Sequence, residues 1–216
     1  MVRKILVVLL ATLVTACSSG GGAELPDGPG LMKKAAEAMR TVKSAAFSIS
    51  TDGKPKVPVH KADGRLTAAG DADGTITLDV LGSLQEITFA LVGDTVHFKG
   101  PTGGFQKLTR KDLAQFYDPS AILDPARGIP ALLAGATDPR VEAVEGEAYR
   151  VATTFSGQSL TSLLPGVTQG VNGKVWIDRA SSRLAKVELP LQDGTVTVSF
   201  ADYDAPVTIT PPPAAG

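Results

Sequence analysis

Apolar and polar residues alternate over most of this chain, and that pattern limits it to a sheet with one greasy face. Ile76, Leu78 and Val80 alternate with Thr75, Thr77 and Asp79. Ile87, Phe89 and Leu91 alternate with Glu86, Thr88 and Ala90. The same period of two pairs Phe47 and Ile49 with Ser48 and Ser50, and Val196, Val198 and Phe200 with Thr195, Thr197 and Ser199. A period of two is the mark of strands that bury one side. Six or so strands are expected between 45 and 108, and four more at 149–155, 173–178, 184–191 and 195–203. Gly93-Asp94 reads as the turn of a hairpin over 85–99, and Asp63-Gly64 and Asp73-Gly74 as two further turns. A sheet of about ten twisted strands curls, and its apolar face needs cover.

The cover is expected from helices. Met32, Ala35, Ala36, Met39 and Val42 recur at helical spacing within Leu31 to Ser44, with Pro29 just before them. Asp112 to Tyr117 reads as a short helical turn. Asp118-Pro119 and Asp124-Pro125 read as helix starts, with aspartate as cap and proline at the first position. Ile129, Leu132, Leu133 and Ala136 share one helical face, as do Leu160, Leu163 and Leu164. The predicted architecture is α+β: an antiparallel sheet curled into a half-barrel, with helices on its concave side. The chain has 216 residues, 43% of them hydrophobic, and no fixed-period repeat or second linker, so one domain is expected.

Residues 1–16 have the order of a secretory signal peptide, with Arg3 and Lys4 before an apolar stretch from Ile5 to Val14. Val14-Thr15-Ala16-Cys17 has the pattern of a bacterial lipobox, which makes Cys17 the expected site of lipid attachment. Residues 17–30 then form the lipidated cysteine and a flexible Gly/Ser/Pro tether, 31–210 the folded domain, and 211–216 a disordered tail. The whole chain carries 21 basic and 22 acidic residues, and cleavage would remove Arg3 and Lys4, leaving 19 against 22. Charge therefore does not hold the domain on an anionic membrane, and the acyl chains are expected to do so.

Catalytic and metal chemistry finds no support in the residues. One cysteine and two histidines do not make a Cys/His zinc site. No G-x-S-x-G, P-loop or H-E-x-x-H is present. His60 and His97 read as surface residues of separate strands. Asp71-Ala72-Asp73-Gly74 reads as a hairpin turn, since the later calcium ligands are missing. Glu142, Glu145 and Glu147 read as a solvated acidic stretch, and Trp176 as a residue packed under a helix. The balanced charge offers no footprint for nucleic acid, and no cofactor is expected.

Several segments together carry a family resemblance. The lipobox, the tether and the first helix precede Phe116-Tyr117-Asp118-Pro119, Ile122-Leu123-Asp124-Pro125, Gly128 and Leu132-Leu133. Val175-Trp176-Ile177 and Val207-Thr208-Ile209-Thr210-Pro211-Pro212 follow. In this order and spacing, over roughly 14–213, the chain resembles the mycobacterial and actinobacterial LppX/LprA/LprF/LprG lipoproteins, most of all the LprG type. The resemblance implies a half-barrel similar to that of the periplasmic lipoprotein carriers LolA and LolB, with a large apolar cavity between sheet and helices. It implies a ligand with several acyl chains, of the triacylglycerol or acylated phosphatidylinositol mannoside type. It also implies anchoring on the inner membrane at the extracytoplasmic face, a major-facilitator efflux pump as partner, and no enzyme activity. From the alternation and this likeness together, the expected cavity residues are Ile76, Leu78, Val80, Ile87, Phe89, Leu91, Val96, Phe98, Leu132 and Leu133. Two alternatives remain: an interaction lipoprotein with a filled core, and a lipid-modifying enzyme, for which no nucleophile and base can be paired.

Overall fold

The computed structural model describes residues 24–212 except 81, 115–118 and 165. The expectations for the signal segment 1–16, Cys17, the start of the tether, Phe116-Tyr117-Asp118 and 213–216 lie outside the described residues.

Eleven antiparallel strands form one sheet. They are β1 Ser44–Gly53, β2 Val59–Thr67, β3 Ala72–Val80, β4 Ser83–Val92, β5 Thr95–Lys99, β6 Gln106–Thr109, β7 Thr137–Glu145, β8 Ala148–Phe155, β9 Val171–Asp178, β10 Leu184–Leu191 and β11 Gly194–Ala201. The order across the sheet is β6-β5-β4-β3-β2-β1-β11-β10-β9-β8-β7. Neighbours in space are neighbours in sequence except at one seam, where β1 pairs with β11 from Ala46↔Ala201 to Gly53↔Gly194. The sheet curls without closing, so β6 and β7 remain as edges.

The hairpin over β4 and β5 is as expected, but two of the expected turns are not turns. Asp63-Gly64 lies inside β2 and Asp73-Gly74 inside β3, with Gly64 directly opposite Gly74. Close approach explains both glycines. A Cβ on Gly64 would strike the Asp73 carbonyl and come within 3.0 Å of the Phe47 ring. Asp71 also serves no calcium loop or simple turn: its carboxylate accepts from the Gly93 N–H at 2.9 Å and from Arg110 at 3.3 Å. The strand missing from the sequence analysis is β7, read there as a solvated acidic stretch. Register shifts between Thr137 and Arg140 and between Val141 and Ala143 blur its alternation. Glu142 and Glu145 are not merely solvated, since both pair with Arg150 of β8.

The first helix, α1, spans Gly28–Met39, three residues earlier than expected and inside the segment read as tether. Asp27 caps it, accepting from the Gly30 N–H at 2.8 Å, and Pro29 sits in the first turn. Leu31, Met32, Ala35, Ala36 and Met39 form its buried face. Gly28 is required where it stands, because a Cβ there would collide with the Pro139 carbonyl of β7. The next helix, α2, is Arg110–Leu113, capped reciprocally by Thr109 and Asp112. A 3-10 turn covers Pro119–Ala121, and α3 spans Ile129–Ala134. Asp124 does not start a helix. It holds the turn before α3 by accepting from the Ala126 N–H at 2.8 Å and the Arg127 N–H at 3.2 Å. Gly128 is the residue that precedes α3, with Pro130 in the first turn. Finally, α4 is Gly157–Thr161, so Leu160 is helical while Leu163 and Leu164 lie in the turn beyond it.

The core fills the space between these helices and the concave face. Met39 of α1, Leu133 of α3 and Leu160 of α4 meet Leu66, Phe155, Val175 and Ile177 of the sheet. Each such side chain contributes about 1.5–3 kcal/mol by leaving water. Trp176 is not among them. Its register partners Lys186 and Arg150 place it on the convex, helix-free face. There its Nε1 donates to Glu145 at 2.7 Å, and the Lys186 ammonium lies 3.5 Å from the ring centroid. Buried His97 is likewise not a surface residue, whereas His60 is half-buried, 4.0 Å from Asp79.

Candidate functional site

Register decides which residues share the concave face. Phe47 and Ile49 of β1 stand opposite Phe200 and Val198 of β11, and Val198 stands opposite Val187 of β10. At the centre of this face the helices leave a cavity of about 60 Å³. Its sheet wall is Phe47, Ile49, Leu184, Val187, Leu189, Val198 and Phe200; its helical wall is Ile122, Ile129, Leu132, Leu160, Leu163 and Leu164. Every one of these side chains is a hydrocarbon, so among the described residues the lining offers no group for acid–base, nucleophilic or metal chemistry. Only apolar matter is at home there.

The cavity is far smaller than the acyl-chain compartment that the family likeness implies. Room for a water is roughly 10–15 Å³ on the same scale, so about 60 Å³ does not admit a lipid tail. The physical reason is close packing: apolar surfaces settle together until their atoms touch, because a void forfeits dispersion contacts. The helical wall is nevertheless lightly held. It consists of the six-residue α3, the five-residue α4 and the turns beside them.

Of the residues expected at a cavity, Leu132 lines this one, and Leu133 is buried beside it in the core. The others belong to the wing of the sheet formed by β3, β4 and β5. Ile76 stands opposite Ala62 and Ile87, and Ala62 stands opposite Ile49. Phe89 pairs with Phe98, and Leu91 with Val96. All therefore share the concave face with the cavity wall without bordering the cavity itself. Leu78 pairs with Gln85 on the same face; Val80 ends β3, its side chain outside the described set. Leu91 and Val96 are buried, while Ile76, Leu78, Ile87, Phe89 and Phe98 are half-buried. Phe89 also borders a second cleft of about 420 Å³, formed with Arg65, Asp73, Thr75, Thr88, Phe105, Thr210 and Pro212. The actual wall was visible in the sequence as the alternating Phe47, Ile49, Val198 and Phe200. What the sequence lacked was the β1–β11 seam that brings these residues together.

Among the described residues no charged group lines the cavity, and an aspartate ties down the end of the sheet where β11 finishes. The Asp204 carboxylate accepts from the Lys43 N–H at 2.8 Å and pairs with Arg183, and these contacts hold it below the usual carboxylate range. Burial pushes the Tyr203 phenol well up, and its hydroxyl donates to the Leu184 carbonyl. Among the described residues no three His, Cys, Asp or Glu side chains gather to hold a metal, and no helix is long and apolar enough to cross a membrane.

The model of the LppX_LprAFG lipoprotein family matches residues 27–209. The chain belongs to that family. It is 31% identical over 212 residues to the lipoarabinomannan carrier protein LprG of Mycolicibacterium hassiacum, covering 88% of this chain and 87% of that protein. It is also 31% identical over 217 residues to the protein of the same name from Mycolicibacterium smegmatis, covering 94% and 92%. Among solved structures, LprF from Mycobacterium bovis superposes with a TM-score of 0.76 at 19% identity, covering 87% of this chain and 97% of that one. Lipoprotein LppX from Mycobacterium tuberculosis superposes with a TM-score of 0.63 at 20% identity, covering 85% and 100%. These two structural likenesses establish the shared fold: a large, unclosed antiparallel sheet with helices in its concave side.

Proposed function

We propose that this family member is a membrane-anchored lipoprotein that takes acylated lipid of the glycolipid type between its sheet and helices and carries it across the cell envelope. The observation that carries the reading is the wall of the central cavity, where the thirteen lining residues among those described are all hydrocarbon. The carrier name of the LprG relatives supports a lipid cargo, and lipoarabinomannan is itself a glycolipid. Triacylglycerol and acylated phosphatidylinositol mannosides are further candidates, and an efflux pump is the proposed partner. Cys17, acylated on the extracytoplasmic side of the inner membrane, is the proposed anchor.

The energetics suit a reversible carrier. A tail of about fifteen methylenes gains roughly 12 kcal/mol on leaving water, at ~0.8 kcal/mol per CH₂. The bilayer already provides nearly the same gain, so transfer between bilayer and protein is close to neutral, and head-group contacts set direction and choice. Loading requires α3 and α4 to move off β1, β10 and β11. Each tail that enters then replaces helix–sheet contacts with equivalent apolar ones. If the concave face of β3–β5 joins the opened compartment, Ile76, Leu78, Ile87, Phe89, Leu91, Val96 and Phe98 become its second half.

The test is native mass spectrometry of residues 18–216 from an actinobacterial host, followed by solvent extraction. A discrete added mass that extracts as acylated lipid is expected. Ile49→Trp should lower that loading by filling the observed cavity, and Ile76→Trp should lower it where the β3–β5 wing takes part. The small cavity favours one competing reading, an interaction lipoprotein with a filled core. That reading is the outcome if the mass is bare and no uptake follows from added glycolipid.

A further inference from the structure

The two ends of the half-barrel are built differently, and the difference orients the molecule. Strand direction sorts the connections. The β1–β2 turn, with exposed Lys54 and Lys56, lies at the same end as the β10–β11 turn, because Gly53 pairs with Gly194. The β3–β4 turn lies there too, since β2 starts beside Leu78. So does the α4 connection, which leaves β8 at Phe155 and returns at its partner Val171. Gly28 rests against Pro139 near the start of β7, whose Thr137 pairs with Thr154. The chain therefore enters the domain at this end as well.

The far end is pinned by carboxylates. Asp71 holds the Gly93 N–H and Arg110, Asp204 holds the Lys43 N–H and Arg183, and Asp178 accepts from the Ser181 N–H at 2.7 Å. The tether end also has carboxylate caps, Asp27 on the Gly30 N–H and Asp79 on the Gly82 N–H, but it carries more of the exposed hydrocarbon, against Val144 alone at the far end among the described residues. Leu84, beside the β3–β4 turn, is 60% exposed, and Leu25, just before α1, is 39% exposed. From the same end Leu163 and Leu164, both partly exposed, reach into the cavity. The charges there are mixed, with Lys54 and Lys56 set among the exposed Asp52, Asp79 and Asp193, so hydrocarbon rather than charge is what this surface offers a partner.

We infer that the tether end is laid against the bilayer that holds the lipidated Cys17, with Leu84 inserted among the lipids and the cavity facing the membrane through the turn after α4. The occupant follows from where the chain leads: ten residues, 18–27, separate Cys17 from α1. Fully extended, ten residues reach at most about 33–36 Å, so the end where the chain enters the domain is the one kept nearest the membrane. This inference rests on the carrier reading and makes it directional: lipid enters and leaves at the tether end.

The experiment uses the full-length acylated protein in phosphatidylethanolamine/phosphatidylglycerol vesicles. An environment-sensitive dye is placed on Leu84→Cys, or on Val144→Cys at the far-end β7–β8 turn, where the side chain is 42% exposed; acylation leaves no other thiol. The dye at 84 is expected to be quenched by spin-labelled lipid at least about twofold more than the dye at 144. Equal quenching at the two positions, stronger quenching at 144, or none at either overturns the orientation. Leu84→Asp, at an exposed site, should slow uptake of pyrene-labelled phosphatidylinositol from vesicles about tenfold and leave delivery of the same lipid from cyclodextrin unchanged. An unchanged vesicle rate also overturns it. Failure of the carrier reading looks different: neither route loads the protein, while the dye still reports which end meets the lipid.

Discussion

Asp204 shows how single side chains hold the far end of the sheet. Its carboxylate ties the residue before β1 to the segment after β11, through the Lys43 N–H and Arg183. Its folded pKa is lowered, so its contribution is complete above the ordinary aspartate value near 3.9 and fades as pH falls through the lowered folded value. Asp204→Ala should therefore cost about 1 kcal/mol at neutral pH. The difference in thermal midpoint from the parent should stay constant from about pH 7 to 5 and shrink toward pH 2. Tyr203 works in the opposite direction. Its raised pKa stabilises the fold below the ordinary phenol value near 10, and that share is lost as pH rises above it, so Tyr203→Phe should flatten the alkaline limb. Gly64 is a steric rather than an electrostatic case. With the Asp73 carbonyl and the Phe47 ring where a Cβ would have to go, Gly64→Ala should destabilise by about 1–3 kcal/mol. Urea unfolding would register this as a lowered midpoint with an unchanged slope.

At the scale of elements, the helical wall decides whether the cavity can open. A Cβ on Gly135, at the end of α3, would sit 3.7 Å from Oγ of Ser159 in α4. The two positions therefore face each other across the α3–α4 contact, close enough for a cross-link to be tried. In residues 18–216, which lack Cys17, the pair Gly135→Cys and Ser159→Cys should slow lipid uptake at least about tenfold when oxidised, with recovery on reduction. Equal rates in both states would show that loading needs no separation of α3 from α4, leaving a joint movement of the two off the sheet as the opening step. How much of this was legible beforehand also divides by element. The strands of regular alternation were readable, among them β4 and β11, because a period of two survives wherever the ladder is regular. The bulged β7 was not. Asp-Gly pairs suggested turns at Gly64 and Gly74 because a sequence does not distinguish a glycine that bends the chain from one that makes room for a ring across the sheet. Asp124-Pro125 misled for a similar reason, as the same two residues can cap a helix or close a turn. The cavity was legible as a face and not as a place: alternation identified the concave side, and the β1–β11 pairing selected which part of it the helices cover.

At the scale of the whole molecule, that same pairing sets the order in which the protein can be made. The β1 strand finds its second neighbour only in β11, with Ala46 opposite Ala201. Every other pair of adjacent strands joins segments close in sequence, but this one must wait for almost the entire chain. A chain ending at residue 193 lacks β11 and leaves β1 and β10 as bare edges in the middle of the sheet, so it should lose the single cooperative unfolding transition of the parent in calorimetry. Long-range pairing is slow to form, and unpaired strands invite association while they wait. Under the proposed export, with the amino end emerging first, the six-strand amino-terminal wing would appear outside the membrane long before its partner. The last strand through the membrane would then be the keystone: maturation would be timed by completion of export, and whatever guards the nascent chain would have to shield β1 until that moment.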